Sequence, residues 1–156
     1  YAQGPVIAGL GYLSVVDDNT TLAGNQRANA TLAFGGYDFG TFKAIAYYDG
    51  ETAISVTPGA KRLSVYGIKA IVPVTADITV QAGISKANHV TGQQSHDNAI
   101  ITALKATYKL SKRTSVYGLT TAANNGTTAD AAIDGLVPAA ANHVTGGVAF
   151  GIVHAF

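Results

Sequence analysis

The chain has 156 residues, 47% of them apolar and 12% charged, with a net charge of +1. That length suits one domain over residues 1–156, and the near-neutral balance argues against nucleic acid as a partner. No cysteine is present, so disulfides and thiol chemistry play no part.

An ordinary soluble domain is roughly 25% charged, and a surface facing lipid would account for the deficit. Yet Gly, Thr, Ser and Asn interrupt every apolar segment, and none approaches the run of about 18 apolar residues that a membrane helix needs. In lipid only helices and closed barrels satisfy their own backbone. A membrane chain of this composition must therefore be built from strands.

Taken in order, Tyr1-Ala2 reads as the tail of a strand and Gln3-Gly4-Pro5 as a tight turn. Residues 6–15 predict a strand with Val6, Ala8, Leu10 and Tyr12 on one face, and residues 16–26 a polar loop. Residues 27–36 form the next strand, with Ala30, Leu32 and Phe34 aligned. A turn at 37–40 leads into a strand over 41–48 carrying Phe42, Ala44, Ala46 and Tyr48. After a long loop at 49–60, residues 61–72 align Tyr66, Ile68, Ala70 and Val72. A short connection at 73–76 precedes a strand over 77–87 with Ile78, Val80, Ala82 and Ile84. Loop 88–96 leads to a strand over 97–110 with Ile100, Leu104, Tyr108 and Leu110. The turn 111–113, a strand over 114–123 and the long loop 124–142 then precede the terminal strand, 143–156. There Val148, Phe150, Ile152, His154 and Phe156 alternate with Ala149, Gly151, Val153 and Ala155.

Short turns alternate with long loops, as in outer-membrane barrels. The segments run about ten residues, enough for a tilted strand to cross the hydrocarbon layer. Pro5, Pro58, Pro73 and Pro138 fall in connections or at strand edges, as a sheet demands. The expected fold is all-β: an antiparallel up-and-down transmembrane β-barrel with about eight strands in this chain. A soluble β-sandwich shares the period but not the short–long alternation. Tyr37, Phe39, Phe42, Tyr108 and Phe156 near the short turns, with Tyr12, Tyr48 and Tyr66 toward the other end, suit two interfacial aromatic belts. The general preference of aromatics for strands is the alternative.

In this reading all nine acidic residues lie in loops, turns or strand ends. Lys43, Lys69, Lys105 and Lys109 fall within strands at odd positions, opposite the large even-numbered apolar residues. Lipid penalises a mid-bilayer lysine by about 2–4 kcal/mol, so the odd face is expected to look into water and the four lysines to line a pore. Fixed cations on such a wall favour anions. Snorkelling to the interface is the alternative for Lys43, Lys69 and Lys109, which this reading sets near turns. The odd face also carries Ile7, Leu13, Val65, Ile71 and Ile101, side chains suited to an inserted loop or a partner.

Ala-Asn-His-Val-Thr-Gly occurs at both 87–92 and 141–146, which sets His89 and His143 at similar junctions. With His96 they lack the fixed spacing of a metal site, and chance repetition in a Thr/Asn/Gly-rich chain is the simpler account. No catalytic arrangement has supporting context, so neither enzyme activity nor a cofactor is expected.

Lys109-Leu110-Ser111-Lys112-Arg113-Thr114-Ser115-Val116-Tyr117 resembles the penultimate hairpin of betaproteobacterial-type Gram-negative porins. The ending Gly151-Ile152-Val153-His154-Ala155-Phe156 resembles the terminus of the same family, as does the Tyr-x-x-Gly-Pro pattern at the start. The family often has Arg where Val153 stands. The resemblance implies the C-terminal half of a sixteen-stranded barrel, completed by a missing N-terminal half or by a second copy. It also implies a homotrimer in the bacterial outer membrane, with the lipid bilayer as partner, passing small hydrophilic solutes and ions. Phe156 would be the residue that marks the chain for barrel insertion. The other expectation is a non-conducting structural barrel, or a surface assembly unit displaying Thr/Asn-rich loops.

Overall fold

The computed structural model describes residues 1–17, 26–52, 63–88, 98–127, 129 and 141–156. They form one nine-stranded sheet in which every neighbour in sequence is a neighbour in space. The strands are β1 (Ala2–Gln3), β2 (Val6–Asp17), β3 (Gln26–Asp38), β4 (Lys43–Thr52), β5 (Leu63–Pro73), β6 (Ile78–Asn88), β7 (Asn98–Lys109), β8 (Thr114–Asn125) and β9 (Val144–His154). All pairings are antiparallel. β1 is a two-residue stub, and the sheet is open, with β1–β2 at one edge and β9 at the other.

Local side-chain chemistry closes the short turns. Asp38 Oδ1 accepts from the Gly40 amide at 2.9 Å, and Gly40 sits at φ +85. Thr75 Oγ1 accepts from the amides of Asp77 and Ile78 at 3.2 and 3.0 Å. Ser111 Oγ accepts from Arg113 and Thr114 at 3.2 and 3.1 Å. Short polar side chains that hydrogen-bond the following backbone are what such turns select. The strand ends joined by the longer connections, Asp17 and Gln26, Glu51 and Leu63, Asn88 and Asn98, and Asn124 and Val144, pair at the opposite end of the sheet.

The two faces differ in crowding. Along β7, Ala99, Ile101, Ala103, Lys105 and Thr107 are buried or half-buried, whereas Ile100, Thr102, Leu104, Ala106 and Tyr108 are exposed. Side chains inside a curved sheet screen one another and those outside splay apart, so the odd residues of β7 mark the inner face. The outer face is apolar and open: Leu10 is 81% exposed and Phe150 84%. Among the described residues the buried apolar ones are all alanines (Ala87, Ala99, Ala123, Ala129). A water-soluble sheet would bury larger side chains against a second layer; among the described residues no such layer covers the apolar side.

Register corrects one part of the sequence reading. Even residues face outward on β2 and on β4–β9, but not on β3. Leu10 pairs with Ala33, which pairs with Tyr48, so the outward residues of β3 are odd. Leu32 and Phe34 therefore point inward, beside Gly11 and Gly9. An even number of residues separates Asp17 from its partner Gln26, and likewise Asp38 from Lys43. Each even-length connection swaps the parity of the faces, so the second restores what the first reversed.

Strand ends also moved. β4 runs through Asp49 and Glu51, which the sequence reading had set in a loop. Asp49 opposes Leu32 and Val65 on the inner face. These two carboxylates thus lie at the end of a strand and not in the loop beyond it.

Candidate functional site: the inner wall

Three successive rows of side chains cross the middle of the inner face. The row nearest the long connections is Tyr47, Gly67, Ser85 and Ile101. The next is Ile45, Lys69, Gly83, Ala103 and Thr121. The third is Ile71, Gln81, Lys105, Leu119 and Ala149. Lys69 and Lys105 therefore lie in adjacent rows, each four residues in from its strand's short-turn end (Pro73 and Lys109). Snorkelling suits residues at the ends of strands, Lys43 and Lys109, but not these two.

All four sequence-predicted lysines lie on the inner face, but their surroundings differ. Lys43 Nζ is 2.9 Å from Asp38 Oδ2, its cross-strand partner, so its charge is locally balanced. Lys105 Nζ stands 4.5 Å above the Tyr117 ring, a cation–π contact that keeps the charge. Among the described residues no ion pair involves Lys69, Lys105 or Lys109. Lys109 joins Lys112 and Arg113 around a depression at the short-turn rim, which also includes Asp77 and Val153. Lys86 faces outward beside Tyr66 and Ile100, close to the end of β6.

Aromatic side chains on this wall lie over glycines. Tyr47 opposes Gly67, Tyr117 opposes Gly151 and Phe34 opposes Gly9. A Cβ at Gly9 or Gly151 would strike the opposing ring, and one at Gly67 would sit 2.9 Å from the Tyr47 hydroxyl. The glycines let each ring cover the neighbouring strand, the arrangement known as aromatic rescue of glycine. Sequence reading missed Tyr47 and Tyr117 as wall residues. The available signal was an aromatic at an odd position with glycine expected on the next strand.

The remaining residues singled out from the sequence are scattered. His89 and His96 lie outside the described residues. His143 has Nδ1 at 2.8 Å from the Ala141 carbonyl, in the turn before β9. His154 Nδ1 is 2.9 Å from Thr114 Oγ1, and the Phe156 ring meets the His154 ring edge-on at 5.0 Å. The Ala155 amide still donates to Arg113 O at 2.9 Å, which carries the β8–β9 pairing past His154. Outward aromatics gather near the short turns as Tyr37, Phe39 and Phe42, with ring centroids 4.7 and 4.6 Å apart. Tyr48 and Tyr66 pair nearer the long connections.

A lipid-facing apolar exterior and a polar, lysine-bearing interior on a meander of long antiparallel strands define part of a transmembrane barrel wall. The sequence model of the Gram-negative porin family matches residues 1–149, and the chain belongs to that family. Its place is the outer membrane. The search of curated proteins returned no match. Among solved structures the chain resembles an anion-selective porin from Comamonas acidovorans, at 23% identity and a TM-score of 0.81. That match covers 100% of this chain and 47% of the other, so the chain spans about half the length of that porin.

Proposed function

We propose that this chain forms part of the wall of a water-filled channel that passes small hydrophilic solutes and ions by diffusion and prefers anions. The observation that carries the proposal is the pair Lys69 and Lys105, set mid-wall on the inner face without carboxylate partners among the described residues. Fixed charges in a narrow aqueous passage raise the local concentration of counter-ions. The anion selectivity in the name of the Comamonas porin agrees with this. Asp49 and Glu51 on the inner side of β4 reduce the preference without removing it.

The open edges of the sheet bear on assembly. Unpaired backbone groups on β9 would be costly in hydrocarbon, so a further set of strands closes the barrel. An N-terminal half of the same polypeptide or a second copy would serve, and the closed barrels would associate as a homotrimer. The chemistry is passage rather than catalysis, and no cofactor enters it.

The non-conducting barrel remains as a second reading because of Ile7, Leu13, Leu32 and Phe34, which make the inner wall of β2–β3 apolar. One measurement separates the two: zero-current potential across a planar bilayer holding the protein in a KCl gradient. The channel reading predicts conductance with a potential of the sign set by chloride. Absence of conductance would support the structural barrel, and a cation-selective potential would refute the anion preference alone.

A further inference from the structure

The inner rows described above enclose a depression of about 350 Å³, bordered by Tyr47, Lys69, Gln81, Ser85, Ile101 and Lys105. We propose that it binds organic anions bearing a hydrocarbon or aromatic group, with benzoate as the probe, in preference to anions that carry charge alone. The proposal rests on the anion-conducting channel above and specifies which anions that channel retains.

The depression is divided by chemistry. On its short-turn side Gln81 and Lys105 are direct cross-strand partners, and Lys69 stands in the adjacent row. The Lys105 ammonium, which rests over the Tyr117 ring, would swing toward Gln81 to donate with its amide to one carboxylate, while Lys69 adds charge from the adjacent row. On the long-connection side the row through Gly67 brings Tyr47 and Ile101 to the rim. Between the two sides lie Gly83 and Ala103. A Cβ at Gly83 would sit 3.3 Å from the Ile68 carbonyl, a tight contact, so the floor there is bare backbone that only glycine leaves uncovered. Leu119 extends the apolar surface beside Lys105.

A carboxylate at Lys105 and Gln81 would thus place its hydrocarbon part over Gly83 and Ala103, between Tyr47 and Ile101. A hydrated inorganic anion gains only the charge interaction there. An organic one also removes apolar surface from water, and the gain scales with the area covered. The Gly67 gap matters because it lets Tyr47 reach across β5 to the neighbourhood of Ser85.

The test is chloride-current block in planar bilayers by the full protein carrying this chain, with sodium benzoate and sodium acetate compared at fixed ionic strength. Benzoate is expected to reach half-block at a concentration about tenfold lower than acetate, from the extra apolar area it covers. Ile101→Ser and, separately, Tyr47→Ser should each reduce that ratio, while Leu13→Ser, outside the depression, should leave it at the native value. Ile101 and Tyr47 lie on different strands, so a folding defect in one variant leaves the other to decide. Lys105→Gln should raise both half-blocking concentrations together. Equal block by benzoate and acetate in the native channel, or a native ratio in both serine variants, would overturn the proposal. A native channel without anion preference that keeps Ile101-dependent benzoate block refutes the anion preference and upholds this site.

Discussion

The inner wall of β2–β3 presents Ile7, Leu13, Leu32 and Phe34, whereas that of β5–β8 presents Lys69, Gln81, Ser85, Lys105 and Thr107 among Val65, Ile71, Ile101 and Leu119. Both halves belong to one continuous meander, and both carry outward apolar residues, Leu10 and Tyr12 in one and Leu104 and Ile84 in the other. Backbone pairing therefore fixes which positions look inward and leaves their chemistry free. The lipid face is constrained everywhere by its solvent. The inner face carries Lys69 and Lys105 on β5 and β7 and is apolar on β2–β3, and in both halves glycines let aromatic rings lie along the wall.

The largest expected effect comes from moving one charge by one residue. Leu104→Lys places an ammonium on the lipid face next to Lys105 and should cost about 2–4 kcal/mol near the bilayer midplane. Urea titration of the protein folded into vesicles would show a lowered midpoint. Phe34→Lys puts the same charge on the apolar half of the inner wall, and should fold with a much smaller loss and move the zero-current potential further toward anions. If both variants lose similar stability, the two faces are not distinct as described.

Next in size are the glycine supports. Gly9→Val in the apolar half forces the Phe34 ring off its neighbouring strand, and Gly67→Val in the polar half meets the Ile84 carbonyl and Ser85 Cβ of β6 at 2.6 and 2.7 Å as well as the Tyr47 hydroxyl at 2.9 Å. Overpacking of this kind costs about 1–3 kcal/mol. Gly67→Val should in addition reduce single-channel conductance, because Tyr47 rises into the lysine-bearing passage.

A smaller effect separates the lysines. Lys69→Gln and Lys105→Gln should each shift the zero-current potential toward cations. The double variant Asp38→Asn/Lys43→Gln removes a locally neutral pair and should shift it little. Smallest are the turns: Thr75→Ala or Ser111→Ala removes an acceptor that serves two amides. Each should lower stability by about 0.5–1.5 kcal/mol, read as a modest change in the same urea midpoint, with selectivity unchanged.

Much of the fold could be read from the sequence because lipid imposes a simple rule. Alternation of large and small residues in β5–β9 identified those strands, and the short turns announced themselves through Gly40, Thr75 and Ser111. The eight long strands agree with the number expected, and the two-residue β1 adds a ninth. The facing of β3 was misread because alternation shows that a strand has two faces without saying which is outward. The parity of the adjoining connections settles that, and it depends on boundaries that pattern alone leaves loose. Asp49 and Glu51 were misplaced for the same reason, since polar residues near the end of a pore strand look like the start of a loop. The lysines were legible as a set, but the partner of Lys43 and the ring beneath Lys105 depend on register. The depression beside Gly83 needed five strands, β4–β8, side by side to come into view.

The central claim is the assignment of faces, including the reversal on β3. The native chain has no cysteine, so single cysteines can be introduced at neighbouring positions and challenged in intact vesicles with a water-soluble, membrane-impermeant maleimide. Phe34→Cys and Lys105→Cys should label, while Ala33→Cys and Leu104→Cys should be protected. Labelling at position 33 with protection at 34 would contradict the register on which the wall is built.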